Sequence, residues 1–425
     1  MNKLSAMAVA VFSLMSLWAG VEDLTYRQRW PWGPQVDIDF AVTGESPVDI
    51  ELTATYDGCP NPIRLEGDAL TGSLFSLAKG DHHLVWDPTK AGLGNVTLRN
   101  FKIAVTAGTA EEHRYLVFNL SDGSYEYLSE PPVDGWTDVY RQTKMVFRRI
   151  PAGTYVNGAS WSGVVSPLSA YQAYWKERGP HTSMGERTVE LTSDYYMAIF
   201  PVTGKQYETI TDTTLPGAQS WLRLLPYNMS SYNAWRGSAP GVNWPTTKYE
   251  VAADSILATL RAKFSNAFLF DLPTETQWEV AARAGTTTIY PNGGADAIVG
   301  GVVHGDVFTN LVSEIGWCGI TVGKETGMIK TGSRAANGWG LYDVVGNGLE
   351  WTLDQASATA PSGTNPVGSD SADSGLSGRR ILRSCTDAET LFGRTLPAYR
   401  QWDGWPSVEG TAAIRLCIHL KSLFE

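Results

Sequence analysis

The sequence predicts a small all-β sandwich followed by an irregular α+β domain. Three observations support this fold class. Residues 30–130 contain short runs in which apolar and polar side chains alternate, as in half-buried strands. Beyond residue 145 the chain is rich in Trp, Tyr, Gly and Pro and has few helical patterns. A turn-forming segment, Pro131-Pro-Val-Asp-Gly135, separates the two parts. We therefore predict a sandwich over 21–130, a linker over 131–144 and the α+β domain over 145–425.

Length and composition limit the possible classes of protein. A chain of 425 residues is long enough for two domains. Its 43% hydrophobic and 18% charged content is typical of a globular protein. The net charge of −11 argues against nucleic acid as a partner, because a phosphate backbone repels an acidic surface.

The first 20 residues resemble a secretory signal peptide. Met1-Asn-Lys3 is a short basic start, and residues 6–19 are mostly apolar and end in a small residue, Ala19. This apolar run is too short to span a bilayer comfortably, and no later run is long enough. We predict an exported protein, located outside the cell, in a periplasm or on a cell surface, with no membrane span after cleavage.

Three alternating runs define the predicted sandwich. Apolar side chains recur at every second position over 36–42 and 48–54, and a third run extends over 96–105. Clusters of Gly, Ser, Pro and Asp separate these runs. Strands this short, with turns at this spacing, are typical of a β-sandwich.

Two helices are predicted in the second domain. Residues 250–264 place apolar side chains on one helical face. A second helix follows Thr274, which forms a capping box with Gln277, and ends at Gly285. On this second helix Trp278, Ala281 and Ala282 are predicted to face the core.

The stretch Gly338–Asp354 is the most informative part of the chain. It combines two tryptophans, four glycines and several oxygen-bearing side chains, a mixture too polar for a core strand and too glycine-rich for a helix. The segment Gly346-Asn347-Gly348 is suited to a sharp turn. Asn347, Glu350 and Asp354 offer hard oxygen ligands of the kind that Ca²⁺ prefers.

Four segments together resemble the formylglycine-generating enzyme family, also called the sulfatase-modifying factor family. In chain order they are Ile150-Pro-Ala-Gly-Thr-Tyr155, Pro201-Val-Thr-Gly-Lys-Gln-Tyr207, Asp271-Leu-Pro-Thr-Glu-Thr-Gln-Trp-Glu279 and Asn337–Trp351. The resemblance covers about 145–420. It implies a variant of the C-type lectin fold, with little regular structure and bound calcium.

The same resemblance implies one calcium site. Carried over, its ligands are the side chains of Asn347 and Glu350 and the backbone carbonyls of Val345 and Gly348. The alternative is that Asn347 only caps the turn while Glu350 pairs with an arginine.

The resemblance also implies which residues catalysis would need. The family's enzymes hold copper with two cysteines in the C-terminal segment. The matching run here is Arg380–Asp387, and no cysteine follows it before Cys417. We therefore predict that the copper site is absent and that the chain is a pseudoenzyme. Cys385 and Cys417 either form a disulfide in this exported protein or remain buried thiols.

The favoured function is a non-catalytic, calcium-stabilised binding module for a glycan or protein ligand. A groove of aromatic and polar side chains is the candidate binding site, and we assign to it Trp351, Thr386, Phe392, Trp402 and Trp405. The turn containing Trp402 and Trp405 is predicted to be exposed. An oxygen-dependent metalloenzyme that modifies a protein side chain and a structural part of a cell-surface assembly are the alternatives.

Overall fold

The structure is a computed structural model of the chain, and it divides into two compact units. It describes residues 20–29, 31–44, 47–94, 96–158, 184–215, 222–238, 250–294, 298–299, 302–303, 305–322, 327–357, 359–368, 378–388, 392–404, 407–408 and 412–420. The predicted signal peptide lies outside the described residues, apart from Gly20. Unit 1 contains residues up to Tyr115, with Tyr127–Glu130 and Arg261–Leu269, and unit 2 contains the remainder.

Unit 1 contains two antiparallel sheets. One has the strand order β1-β2-β6-β5 and the other β4-β3-β7. The strands are β1 (Gly20–Gln28), β2 (Val36–Thr43), β3 (Val48–Thr55), β4 (Ile63–Arg64), β5 (Leu70–Thr71), β6 (Gly80–Trp86) and β7 (Lys102–Thr109).

A hydrophobic cluster among the described residues of unit 1 contains side chains from both of its sheets. The alternating side chains of β2 and β3 point into this cluster, together with Trp86 from β6. The sandwich pattern is therefore present where the sequence predicts it. The third run differs, because β7 starts only at Lys102. Val96 lies outside any strand and is exposed, whereas Leu98 is buried from a loop.

The boundary between the units differs from the predicted one. Residues 116–126 belong to unit 2 although they were assigned to the sandwich. The predicted linker 131–144 also belongs to unit 2 and contains a 3-10 helix over Asp138–Arg141. Arg141 is buried there and donates through Nε to the Thr331 carbonyl at 2.7 Å. A proline- and glycine-rich segment can thus be an ordered part of a domain once a buried side chain anchors it.

Unit 2 is built on a six-stranded sheet and several smaller ones. The large sheet has the order β14-β23-β13-β10-β8-β9, and a three-stranded sheet has the order β19-β21-β22. The strands are β8 (Tyr115–Asn119), β9 (Tyr125–Leu128), β10 (Lys144–Ile150), β11 (Gly153–Asn157), β12 (Arg187–Leu191), β13 (Tyr195–Ala198), β14 (Leu269–Asp271), β15 (Ile298–Val299), β16 (Val302–Val303), β17 (Gly316–Trp317), β18 (Val345–Gly346), β19 (Gly348–Gln355), β20 (Gly363–Thr364), β21 (Arg380–Cys385), β22 (Gln401–Gly404) and β23 (Cys417–His419).

The described helices are short. They are α1 (Gly204–Thr211), α2 (Tyr232–Arg236), α3 (Ile256–Lys263), α4 (Glu275–Arg283), α5 (Gly305–Ile315), α6 (Gly319–Val322) and α7 (Phe392–Thr395). Within the described part of the chain, none of them has the length and apolar character needed to cross a bilayer. The helix predicted over 250–264 is α3, which starts six residues later.

Helix α4 confirms the second helix prediction. The Thr274 hydroxyl accepts from the Gln277 backbone N–H at 3.1 Å, and the Gln277 side chain accepts from the Thr274 N–H at 3.0 Å. Trp278, Ala281 and Ala282 are buried in the main hydrophobic cluster of unit 2. The helix ends at Arg283 with Ala284 as its C-cap, at a left-handed φ of 51°, so Gly285 is the first residue beyond the C-cap, as predicted.

Candidate functional site

The Gly338–Asp354 stretch does form the predicted turn. Gly346, Asn347 and Gly348 all have positive φ, at 79°, 58° and 128°. A Cβ atom on Gly346 would lie 2.1 Å from the carbonyl oxygen of Trp317, on the neighbouring strand β17. Glycine is therefore required at this position for a steric reason as well as for its backbone freedom.

Contrary to our expectation, the second half of this stretch is a core strand. β19 is buried from Leu349 to Asp354 and pairs with β21. Its two carboxylates are tolerated because each one has hydrogen-bond donors inside the protein.

Glu350 is held by Arg415 and Trp278. Arg415 donates through Nη2 to Oε1 at 2.7 Å and through Nε to Oε2 at 2.8 Å, a bidentate pair between two buried side chains. The indole Nε1 of Trp278 donates to Oε2 at 2.5 Å. This is the arginine pairing that the sequence left open as the alternative to a calcium ligand.

The side chain of Asn347 is also engaged. Its Oδ1 accepts from the backbone N–H of Ile329 at 2.9 Å, and its Nδ2 donates to the Ile329 carbonyl at 3.1 Å. In this arrangement both side chains are hydrogen-bonded to protein partners, and Val345 and Gly348 flank the turn in β18 and β19. Calcium binding at this loop stays a prediction.

Two buried carboxyl groups in this region have raised pKa values. Burial raises the pKa of Asp343 to about 6, although the Gly332 N–H donates to it. Burial, together with the nearby Glu275 carboxylate, raises the pKa of Asp354 to about 7. Asp354 accepts from the backbone N–H groups of Glu275 and Gly368, each at 2.6 Å, and so connects the start of α4 to β19.

Helix α4 carries two more buried carboxylates, and each is paired with arginine. Glu275 forms a bidentate pair with Arg400, at 2.6 and 2.7 Å. Glu279 accepts from Arg187, Arg283 and Arg383, at distances of 2.6–3.0 Å. Although burial opposes ionisation, these arginines hold the pKa of Glu279 well below its usual range.

The C-terminal run matching the family's catalytic segment forms β21. Ser384 has a φ of 64°, a left-handed conformation that glycine adopts more easily. Its hydroxyl compensates by accepting from the Gly346 N–H at 3.1 Å and donating to the Gly346 carbonyl at 3.3 Å. A serine is therefore accommodated in this left-handed conformation by hydrogen bonds to the Gly346 backbone.

Cys385 and Cys417 are thiols in this structure, so the predicted disulfide is not formed. Both lie in the main hydrophobic cluster of unit 2, with exposures of 2% and 0%. Burial raises the pKa of the Cys417 thiol well above its usual range. The structure thus corresponds to the second of the two alternatives, buried thiols.

The structure describes the side chains of two of the predicted ligand-binding residues, Trp351 and Thr386. Trp351 is 0% exposed and packs edge-on against Tyr232, so its ring cannot stack on a ligand. Thr386 is exposed at the end of β21. Trp402 lies in strand β22 rather than in a turn, and its side chain, that of Phe392, and the whole of Trp405 fall outside the described residues.

A different set of residues lies next to Thr386 in the structure or in the chain. We call it the Trp317 face and define it as Trp317, Gly327, Thr386 and Asp387. The half-buried indole of Trp317 donates to the Gly327 carbonyl at 2.9 Å. Asp387 accepts from the Gly327 N–H at 2.6 Å. The Arg334 guanidinium lies 5.2 Å from the centre of the Trp317 ring. The Gly327 backbone therefore connects an aromatic ring, which has a guanidinium beside it, to a carboxylate, and the exposed Thr386 precedes that carboxylate in the chain.

The sequence of the second unit matches a known family. The profile described as "Sulfatase-modifying factor enzyme 1-like domain" matches residues 136–384, more than half of the chain. The chain belongs to this family. Its second unit accordingly has the α+β fold of sulfatase-modifying-factor proteins, as the four sequence motifs predicted, and the matched region starts inside the predicted linker.

Among curated proteins, the chain is similar to the formylglycine-generating enzyme of Mycobacterium tuberculosis (strain ATCC 25618 / H37Rv). The two are 28% identical over 147 residues, which is 31% of this chain and 45% of that enzyme. The chain thus spans less than half the length of this relative.

Two solved structures are similar to this sulfatase-modifying-factor-like chain. PvdO from Pseudomonas aeruginosa has 17% identity and a TM-score of 0.44, covering 64% of this chain and 94% of its own. CarF has 14% identity and a TM-score of 0.29, covering 63% and 98%.

Sequence reasoning missed several residues of the site. Arg187 and Glu279 are 92 positions apart, and no local pattern marks such a pair. Arg334 and Gly327 carry no motif either. Arg415 lies outside the four motifs as well, although an arginine partner for Glu350 was the stated alternative to calcium.

The pKa of Asp354 predicts a measurable pH dependence. Because its folded pKa of about 7 exceeds the unfolded value of ~3.9, the stability due to the protonated form is full below about pH 4 and is lost as the pH rises to about 7. In an Asp354→Asn variant residue 354 does not titrate, so this loss of stability with rising pH is absent. Between about pH 5 and about pH 7, the free energy of unfolding of the wild type should fall by about 2 kcal/mol more than that of the variant.

Urea denaturation at both pH values measures this difference. Asp343 titrates in both proteins and cancels from the comparison. Parallel stability curves for wild type and variant would contradict the assignment of a raised pKa to Asp354.

Proposed function

We propose that this chain is an exported, non-catalytic member of the sulfatase-modifying-factor family that binds a carbohydrate on the Trp317 face. The proposed loss of catalysis is supported by the positions of the cysteines in the sequence. After Cys385 the sequence has no cysteine before Cys417, so the two thiols that the family's copper requires are not provided by the C-terminal segment.

The surroundings of the two thiols support this proposal. A copper ligand must be a thiolate, and thiolates form at exposed or electropositive positions. Cys385 and Cys417 instead lie in an apolar core, where burial favours the neutral thiol. The match to the family also ends at residue 384, just before the segment in which the enzymes carry their cysteines.

A carbohydrate ligand is favoured by the chemistry of the Trp317 face. A flat indole binds the apolar face of a sugar ring at low entropic cost, and adjacent oxygen atoms bind its hydroxyl groups. Trp317 supplies the ring, and Thr386 and Asp387 supply the oxygens. The Gly327 backbone, bonded to both sides of the face, fixes their spacing.

If catalysis is lost, the protein should neither retain stoichiometric copper nor modify a cysteine substrate. Purified full-length protein, loaded with Cu(I), should retain only substoichiometric copper, and it should leave the cysteine of a sulfatase-type peptide unmodified in the presence of oxygen. Metal analysis and peptide mass spectrometry measure the two results, with an active formylglycine-generating enzyme as the positive control. Stoichiometric copper with conversion of cysteine to formylglycine would contradict the proposal.

The carbohydrate proposal predicts a specific effect of Trp317→Ala. In a panel of immobilised neutral and acidic oligosaccharides, the wild type should bind at least one glycan, and the variant should bind it about tenfold more weakly, equivalent to about 1.4 kcal/mol. Trp136→Ala is the matched control, because Trp136 is also half-buried in unit 2 but lies outside this face. Equal affinities for wild type and Trp317→Ala, or binding of peptides alone, would contradict it.

A further inference from the structure

The Glu279 carboxylate is shared by more arginines than it can neutralise. Oε1 accepts from Arg283 at 2.9 Å, while Oε2 accepts from both Arg187 at 3.0 Å and Arg383 at 2.6 Å. Two guanidinium groups that donate to one oxygen atom must lie close together. The Arg187 and Arg383 side chains are 9% and 0% exposed, so water outside the protein screens this contact poorly.

The charges in this cluster do not balance. Glu275 is matched by its own bidentate partner, Arg400. Together, Arg187, Arg283, Arg383 and Arg400 carry two more charges than Glu275 and Glu279. The carboxyl of Asp354, beside Glu275, lowers this excess to the extent that it is ionised. Burial lowers the pKa of Arg383, and its cationic neighbours Arg187 and Arg400 lower it further against the opposing carboxylates.

The excess charge lies on two side chains that still have donors to spare. Arg283 uses its remaining nitrogens on the carbonyls of Thr288 and Gly158. By contrast, Nη1 of Arg187 and both Nε and Nη1 of Arg383 are buried and have no hydrogen-bond acceptor among the described residues. Nη1 of Arg383 lies 3.6 Å from Glu275, too far for a hydrogen bond.

We propose that Arg187 and Arg383 bind a small monovalent anion of the halide class beside Glu279. Such an ion would accept from Nη1 of Arg187 and from one of the two unused donors of Arg383, because Nε–H and Nη1–H of one guanidinium point to different sides. It would reduce the excess positive charge of the cluster by one. The Arg383 guanidinium also lies 5.3 Å from the centre of the Trp278 ring. The ring therefore already stabilises part of its charge.

Water is the competing occupant of this region. Oδ1 of Asn157 and Oγ1 of Thr276 are also buried without a partner, and Asn157 lies opposite Arg187 in the pairing of β11 with β12. A water molecule suits an acceptor and a hydroxyl, whereas it leaves the excess charge unchanged. An anion and a water therefore differ in their effect on stability.

The first test is the thermal stability of the full-length protein in bromide. At constant ionic strength, with gluconate as the bulky replacement anion, bromide should raise the Tm by ~3 °C for each tenfold increase above its dissociation constant. Chloride should act in the same way. A Tm that does not depend on the identity of the anion would overturn the proposal.

Two variants test whether the bromide response of the Tm comes from the proposed site. Arg187→Gln removes one unused donor and one excess charge, so its Tm should no longer respond to bromide. Arg149→Gln is the control, because Arg149 is similarly buried but is matched one-to-one with Asp194 at 2.6 Å. It should lose stability yet keep the bromide response. A bromide response that persists in Arg187→Gln would overturn the proposal.

Crystals of the wild type grown in bromide provide a test that does not depend on variants. An anomalous peak within hydrogen-bond distance of Arg187 and Arg383 is expected. Ordinary density without an anomalous peak would identify water and overturn the proposal.

Discussion

Unit 2 depends on the carboxylate of Glu279. This one side chain joins three elements that are far apart in sequence: β12 through Arg187, α4 through Arg283, and β21 through Arg383. Arg283 and Arg383 are buried and the Arg187 side chain is 9% exposed, so removing the carboxylate would leave charges that solvent screens poorly. The backbone N–H of Gly158 also donates to it, at 2.6 Å, which fixes the end of β11. Little regular structure is needed in this unit because such polar contacts set the positions of its short strands.

The features that could be predicted from sequence are those encoded within a few residues. The capping box of Thr274 and Gln277 and the turn at Gly346 needed only local patterns, and the four motifs gave the family fold. Contacts between distant residues were not predictable. The buried strand β19 looked too polar for a core because its partner Arg415 is 65 residues away from Glu350. The unit boundary was misplaced for the same reason, since a buried arginine anchors the apparent linker.

The proposed function separates the family's fold from its copper chemistry. Buried glutamates and arginines connect the elements of unit 2, whereas the sequence has no cysteine between Cys385 and Cys417. In the proposed function the ligand binds beside Thr386, where Trp317 rather than the buried Trp351 provides the aromatic ring.

The unfolding free energy of a Glu279→Gln variant tests the central role of this carboxylate most directly. Glutamine keeps the shape but removes the charge, so hydrogen exchange at the amides of β12 and β21 should report a loss of about 3–5 kcal/mol. Glu190→Gln, at an exposed position of β12, is the matched control and should change little. Protection within about 1 kcal/mol of the wild type in Glu279→Gln would contradict the account.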